Sequence, residues 1–100
     1  ILDTNAPIEE IYPLIADAIR SYLTNQFHIR AIDMTTLELM TALQANSVFS
    51  DSLRNSLSGL LEQADLVKFA SHRPAIEPAS VVEYAIHWLE QAERARIAYE

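Results

Sequence analysis

The sequence predicts an all-α fold: a compact four-helix, single-core domain with a short extra helical turn before the last helix. Three observations carry that expectation. Apolar residues recur on a helical period in several long segments. Helix-start residues stand ahead of them. The chain has one glycine, and its β-branched residues are scattered rather than grouped in alternating runs. One hundred residues, half of them apolar, are enough for a single domain with its own core.

The first helix is the clearest. Ile8, Ile11, Tyr12, Ile15, Ile19, Tyr22 and Leu23 form one apolar stripe, with Glu9, Glu10, Asp17, Arg20 and Ser21 between them facing solvent. Thr4 or Asn5 suits the cap, and Pro7 suits the opening turn, where its missing N–H is not needed. Pro13 removes the bond to the Glu9 carbonyl, which predicts a kink or a late start near Tyr12. The end falls around Asn25 to Phe27.

A connection from His28 to Met34 leads to the second helix. There Thr35 and Glu38 have capping-box spacing, and Met34 and Leu39 have hydrophobic-staple spacing. Leu39, Met40 and Leu43 give an inner face, and Asn46 and Ser47 end the helix. Ser50 or Asp51 caps the third helix, whose stripe is Leu53, Leu57, Leu60, Leu61 and Ala64. Gly59 lies within it at a cost of about 1 kcal/mol relative to alanine; it either permits close helix approach or, the favoured reading, is tolerated on the exposed face.

Asp65 to Ala70 does not continue that stripe cleanly and reads as the extra turn, with Leu66 and Phe69 as core plugs and Asp65 as its cap. Ser71 to Pro78 is a loop with two prolines. The fourth helix has Pro78 near its first turn and Ser80 with Glu83 at capping-box spacing. Val81, Ala85, Trp88, Leu89 and Ala92 face inward, and Val82 and Ile86 widen that face. Beyond Ala92 the pattern turns polar, and Ile97 to Glu100 should fray unless docked or continued by further sequence.

Composition bounds the function. Cysteine is absent, which excludes disulfides, thiol catalysis and Cys-type zinc sites and suits a reducing compartment. Seven basic against fourteen acidic residues give a net charge of −7, which opposes attraction to nucleic acid or an anionic membrane. No apolar run approaches the roughly 20 residues of a membrane-spanning helix. No basic n-region of a signal peptide precedes Asp3, Glu9 and Glu10. The start at Ile1 rather than Met leads us to expect either a processed product or, the favoured reading, an excised piece of a longer protein.

No catalytic, cofactor or metal site is expected. None of His28, His72 and His87 stands in a Glu-x-x-His or His-x-x-x-His pair, and His87, beside Trp88, is expected to be half-buried. No serine sits in a Gly-x-Ser-x-Gly elbow, and one glycine cannot build a phosphate-cradling loop. Glu9 and Glu10 suit a helix N-terminus better than acid–base chemistry. A helix-turn-helix-like nucleic-acid-binding domain is the alternative, since helices two and three are joined by a short link. Its recognition helix would offer Arg54, Asn55 and Gln63, opposed by Asp51 and Glu62. The segment from Asp65 through the following loop presents Lys68, His72 and Arg73, the candidate partner-binding residues.

The order Tyr12…Ile19-Arg20…Tyr22-Leu23…Phe27, then Ala31…Thr35-Thr36…Glu38, then Leu61…Ala64-Asp65-Leu66-Val67-Lys68-Phe69-Ala70…Pro74 carries a family likeness. It resembles the cytoplasmic C-terminal domain of bacterial membrane proteins associated with Bat-type (aerotolerance) gene clusters, over about Tyr12 to Leu89. The stretch Ala64 to Ala70 is its most specific part. The resemblance implies a domain that follows a transmembrane segment, on the cytoplasmic face of the inner membrane. Its implied neighbours are MoxR-type AAA+ ATPases and proteins with von Willebrand factor A domains. It implies no catalytic residues. The expectation is therefore a non-enzymatic protein–protein interaction domain, with no nucleic-acid partner and membrane contact only through sequence outside this chain.

Overall fold

Apolar stripes on four segments are satisfied by four helices around one core. The computed structural model describes residues 8–69 and 78–99. Helix α1 spans Ile8–Phe27, a 3₁₀ turn spans Ala31–Asp33, α2 spans Thr36–Gln44, α3 spans Asp51–Phe69 and α4 spans Pro78–Tyr99. Among the described residues there is no strand. Helix α3 packs against α1, α2 and α4, while α1 also meets α4 and the 3₁₀ turn. The all-α four-helix class is as the sequence predicts.

Helix α1 does not start late. It runs through Pro13 from Ile8. A mid-helix proline costs about 3 kcal/mol, and burial ahead of it offsets that cost. Ile11 and Tyr12 are both buried, each contributing about 1.5–3 kcal/mol. The helix ends at Phe27 and is followed by His28, a non-glycine residue with φ of 57°. The left-handed turn there lets the Ile29 N–H donate to the Leu23 carbonyl at 3.4 Å.

The cap of α2 forms as expected. The Glu38 N–H donates to Thr35 Oγ1 at 3.2 Å, and the Thr35 N–H donates to Glu38 Oε1 at 2.9 Å. These bonds hold the Glu38 carboxyl below its ordinary value. Met34 and Leu39, the staple pair, both join the core. Ser50 caps α3, its Oγ accepting from the Leu53 N–H at 3.2 Å.

The extra turn expected over Asp65 to Ala70 is instead the end of α3, which continues to Phe69. Val67 keeps the inward register set by Leu57, Leu60, Leu61 and Ala64. Leu66, expected as a core plug, is 43 % exposed, and the Phe69 side chain lies outside the described residues. Asp65 caps nothing; its Oδ2 accepts from Thr36 Oγ1 at 2.7 Å. Helix α4 begins at Pro78, so Ser80 lies inside its first turn rather than at a capping box with Glu83. Ile86 is exposed and does not widen the inner face. Gly59 is exposed, with no atom within 4 Å of where a Cβ would stand.

Two polar joints tie the helices together. Arg20, expected in solvent, is half-buried. Its Nη1 donates to the carbonyls of Ala31 at 2.8 Å and Met34 at 2.6 Å, and its Nη2 donates to Thr36 Oγ1 at 3.2 Å. Thr36 passes the chain on to Asp65, so one guanidinium joins α1, the 3₁₀ turn, α2 and α3. Across the bundle the Tyr22 hydroxyl donates to Glu93 Oε1 at 2.8 Å, and Arg96 grips the same carboxylate through Nε and Nη2. Arg96, then Tyr22, hold the Glu93 carboxyl down at about 2. Burial, then Glu93, pushes the Tyr22 phenol up.

Candidate functional site

A hollow of about 550 Å³ lies between the N-terminal half of α3 and the middle of α4. Its α4 wall comes from Tyr84, His87, Trp88, Gln91, Arg94 and Ala95. Steps of three and four place all of these on one helical face. Its α3 wall comes from Ser52, Leu53 and Ser56, with Val48 and Ser50 at the entry to the helix.

Local packing fixes the walls. Trp88 is buried, and its Nε1–H donates to the Leu53 carbonyl at 2.8 Å, pinning α4 to α3. Its ring lies nearly parallel to that of Phe49, 9° between planes and 6.3 Å between centroids. Phe49 in turn meets Phe27 at 4.7 Å, and Phe27 meets Tyr22 at 5.8 Å. A row of rings from α1 to α4 therefore braces the floor of the groove.

The rims differ in chemistry from the rest of the chain. The lining contains no carboxylate, although fourteen acidic residues make the chain strongly acidic. Arg94 and His87 are exposed on the α4 side. Among the described residues Arg94 makes no hydrogen bond or ion pair. Asp51, between two lining serines, is paired with Arg54 on its own helix. The first amides of α3 open beside Ser50 and Ser52, and the helix dipole places partial positive charge there. Tyr84 is 47 % exposed and offers an aromatic edge to any occupant.

A second hollow, of about 340 Å³, lies beside Arg20, Thr36 and Asp65. Arg20, Thr36 and Asp65 there are bonded in one chain, which suits a structural joint. Among the described residues no three His, Asp or Glu side chains gather as a metal site, and no helix is long and apolar enough to cross a membrane.

Of the candidate partner-binding residues singled out from sequence, only Lys68 lies on a described element. Lys68 is in the last turn of α3, at least twelve residues beyond Ser56, or about 18 Å along the axis; its side chain lies outside the described residues. His72 and Arg73 also lie outside them. His87, expected half-buried, is exposed and lines the groove. Gln91 and Arg94 escaped the sequence reading because they are polar. Their signal was the spacing Tyr84, His87, Gln91, Arg94, a face adjoining Trp88. The chain matches no family model, and no curated protein or solved structure matches it.

Proposed function

We propose that this chain is a non-enzymatic protein–protein interaction domain. It docks its partner in the α3–α4 groove. The single observation that carries this role is the make-up of that groove. Tyr84, Trp88 and Arg94 line it and carboxylates do not, the composition favoured at the centre of protein interfaces. Its polar side chains Ser52, Gln91 and Arg94 are unspent among the described residues.

The resemblance set by the Ala64 to Ala70 stretch supplies the context. In that context the chain is the cytoplasmic domain of a membrane-anchored bacterial protein, and its partner is a MoxR-type ATPase or a von Willebrand factor A domain protein. Helix α3 gives no support to nucleic-acid binding. Its basic residues are Arg54 and Lys68, fourteen positions apart, and Arg54 is paired with Asp51.

The test is binding of each purified candidate partner to the full-length protein and to its Tyr84→Ala, Arg94→Ala, Lys68→Ala and Arg73→Ala variants. Folding is checked by circular dichroism. Loss of binding in the first two supports the groove, and loss only in the last two moves the interface to the end of α3. No binding by either partner class contradicts the assignment of partners. The anchored context requires an upstream run of about 20 apolar residues in the full gene.

A further inference from the structure

Building on the interaction role proposed above, we infer that the α3–α4 groove recognises an acidic peptide segment of the partner, one whose carboxylates flank an apolar or aromatic anchor. Charge is the first support. A chain of net charge −7 repels acidic segments over most of its surface. The groove departs from that background, with no lining carboxylate and with Arg94 and His87 on one wall, while Asp51 at its mouth is paired with Arg54.

The floor is the second support. Val48 and Leu53 line it, Trp88 closes it beneath, and Tyr84 edges it. A hollow of about 550 Å³ falls within the range of about 300–1,000 Å³ typical of ligand pockets. It can take one large side chain with its neighbours. A bare anion would leave this apolar surface uncovered. A nucleic acid would bring many phosphates against a groove lined by one arginine and a net negative protein.

Arg94 is available for this task. Glu90 lies one turn before it, at a spacing that stabilises ion pairs in isolated helices by only about 0.2–0.5 kcal/mol. No ion pair joins the two here. A partner carboxylate there gains a charge-assisted bond, which is stronger than a neutral one. Ser52 and Ser56 supply hydroxyl donors on the facing wall.

The experiment is selection of a displayed random dodecapeptide library on the folded protein. Enriched peptides are then synthesised and titrated against the wild type, Arg94→Glu and Arg30→Glu. The last makes the same charge change at a site outside the groove. The expected result is enrichment of Asp and Glu around an aromatic or aliphatic residue, with binding at least about tenfold weaker for Arg94→Glu and changed less than about twofold for Arg30→Glu. Replacing Glu by Gln in the peptide should weaken binding to a similar degree, and added salt should weaken it further.

Enrichment without acidic residues, a basic bias, indifference to Arg94→Glu or no enrichment overturns the proposal. So does a protein dimer that Arg94→Glu dissolves, because the occupant is then a second copy. The interaction role has its own readout in the purified-partner binding, so a partner that binds independently of Arg94 defeats the acidic-peptide proposal alone.

Discussion

Replacing Arg20 by methionine separates two accounts of this helix. As a solvent-facing residue, Arg20 would change stability by no more than about 0.5 kcal/mol when substituted. In the structure its guanidinium makes three bonds across three elements. The Ala31 carbonyl keeps a second partner, the Met34 N–H at 3.2 Å, whereas the Met34 carbonyl loses the Arg20 bond. Leaving one such group unsatisfied costs about 1–3 kcal/mol, and a charged hydrogen bond contributes about 1.5–3. Half-burial lets water replace part of this, so Arg20→Met should cost about 3 kcal/mol.

With a urea dependence of about 1.5 kcal/mol/M for a chain of this size, the midpoint should fall by about 2 M. Arg20→Lys should recover less than half, because an ammonium lacks the fork that spans two carbonyls and a hydroxyl. A double-mutant cycle with Asp65→Asn should show coupling of about 0.5 kcal/mol or more through Thr36. A midpoint for Arg20→Met within about 0.3 M of wild type would refute the joint.

Gly59→Ala should raise stability by about 0.5–1 kcal/mol, since the site is open and helical, and a fall in melting temperature would contradict that geometry. Thr35→Ala removes half of the capping box and should cost about 1 kcal/mol by urea unfolding; no loss would mean that the cap does not hold α2. The Glu93 carboxyl is lowered in the folded state from 4.5 to about 2. Its stabilising contribution is therefore present above about pH 4.5 and lost as the pH falls toward about 2. Glu93→Gln should flatten acid unfolding in that window, and an unchanged acid limb would argue against the Tyr22–Glu93–Arg96 clasp.

What the sequence made legible was local and periodic. The Thr35–Glu38 box is a reciprocal contact between residues three apart, so it could be read without tertiary information. Helical stripes likewise located Ile11, Ile15, Ile19, Leu57, Leu61, Val81 and Trp88 in the core. What escaped depends on neighbours distant in sequence. Arg20 looked solvated because its acceptors lie 11 and 14 residues away. Asp65 looked like a cap because its donor, Thr36, is 29 residues away. Pro13 looked like a boundary because propensity was weighed without the burial of Ile11 and Tyr12 beside it. Val67 was passed over in favour of the larger Leu66 and Phe69, although it is three residues beyond Ala64, in register with the stripe. The groove was the least legible part, since it exists only where two polar helix faces meet over a buried tryptophan.

Photo-crosslinking in the full-length protein tests the docking groove most directly. Tyr84, exposed in the groove, and Ile32, more exposed but outside it, are each replaced by a benzophenone-bearing phenylalanine in separate proteins. Crosslinks to the partner should come from position 84, map to an acidic segment of that partner and disappear when Arg94→Glu is added. Crosslinks that come from position 32 alone, or that persist from position 84 after Arg94→Glu, would contradict docking in the α3–α4 groove through Arg94.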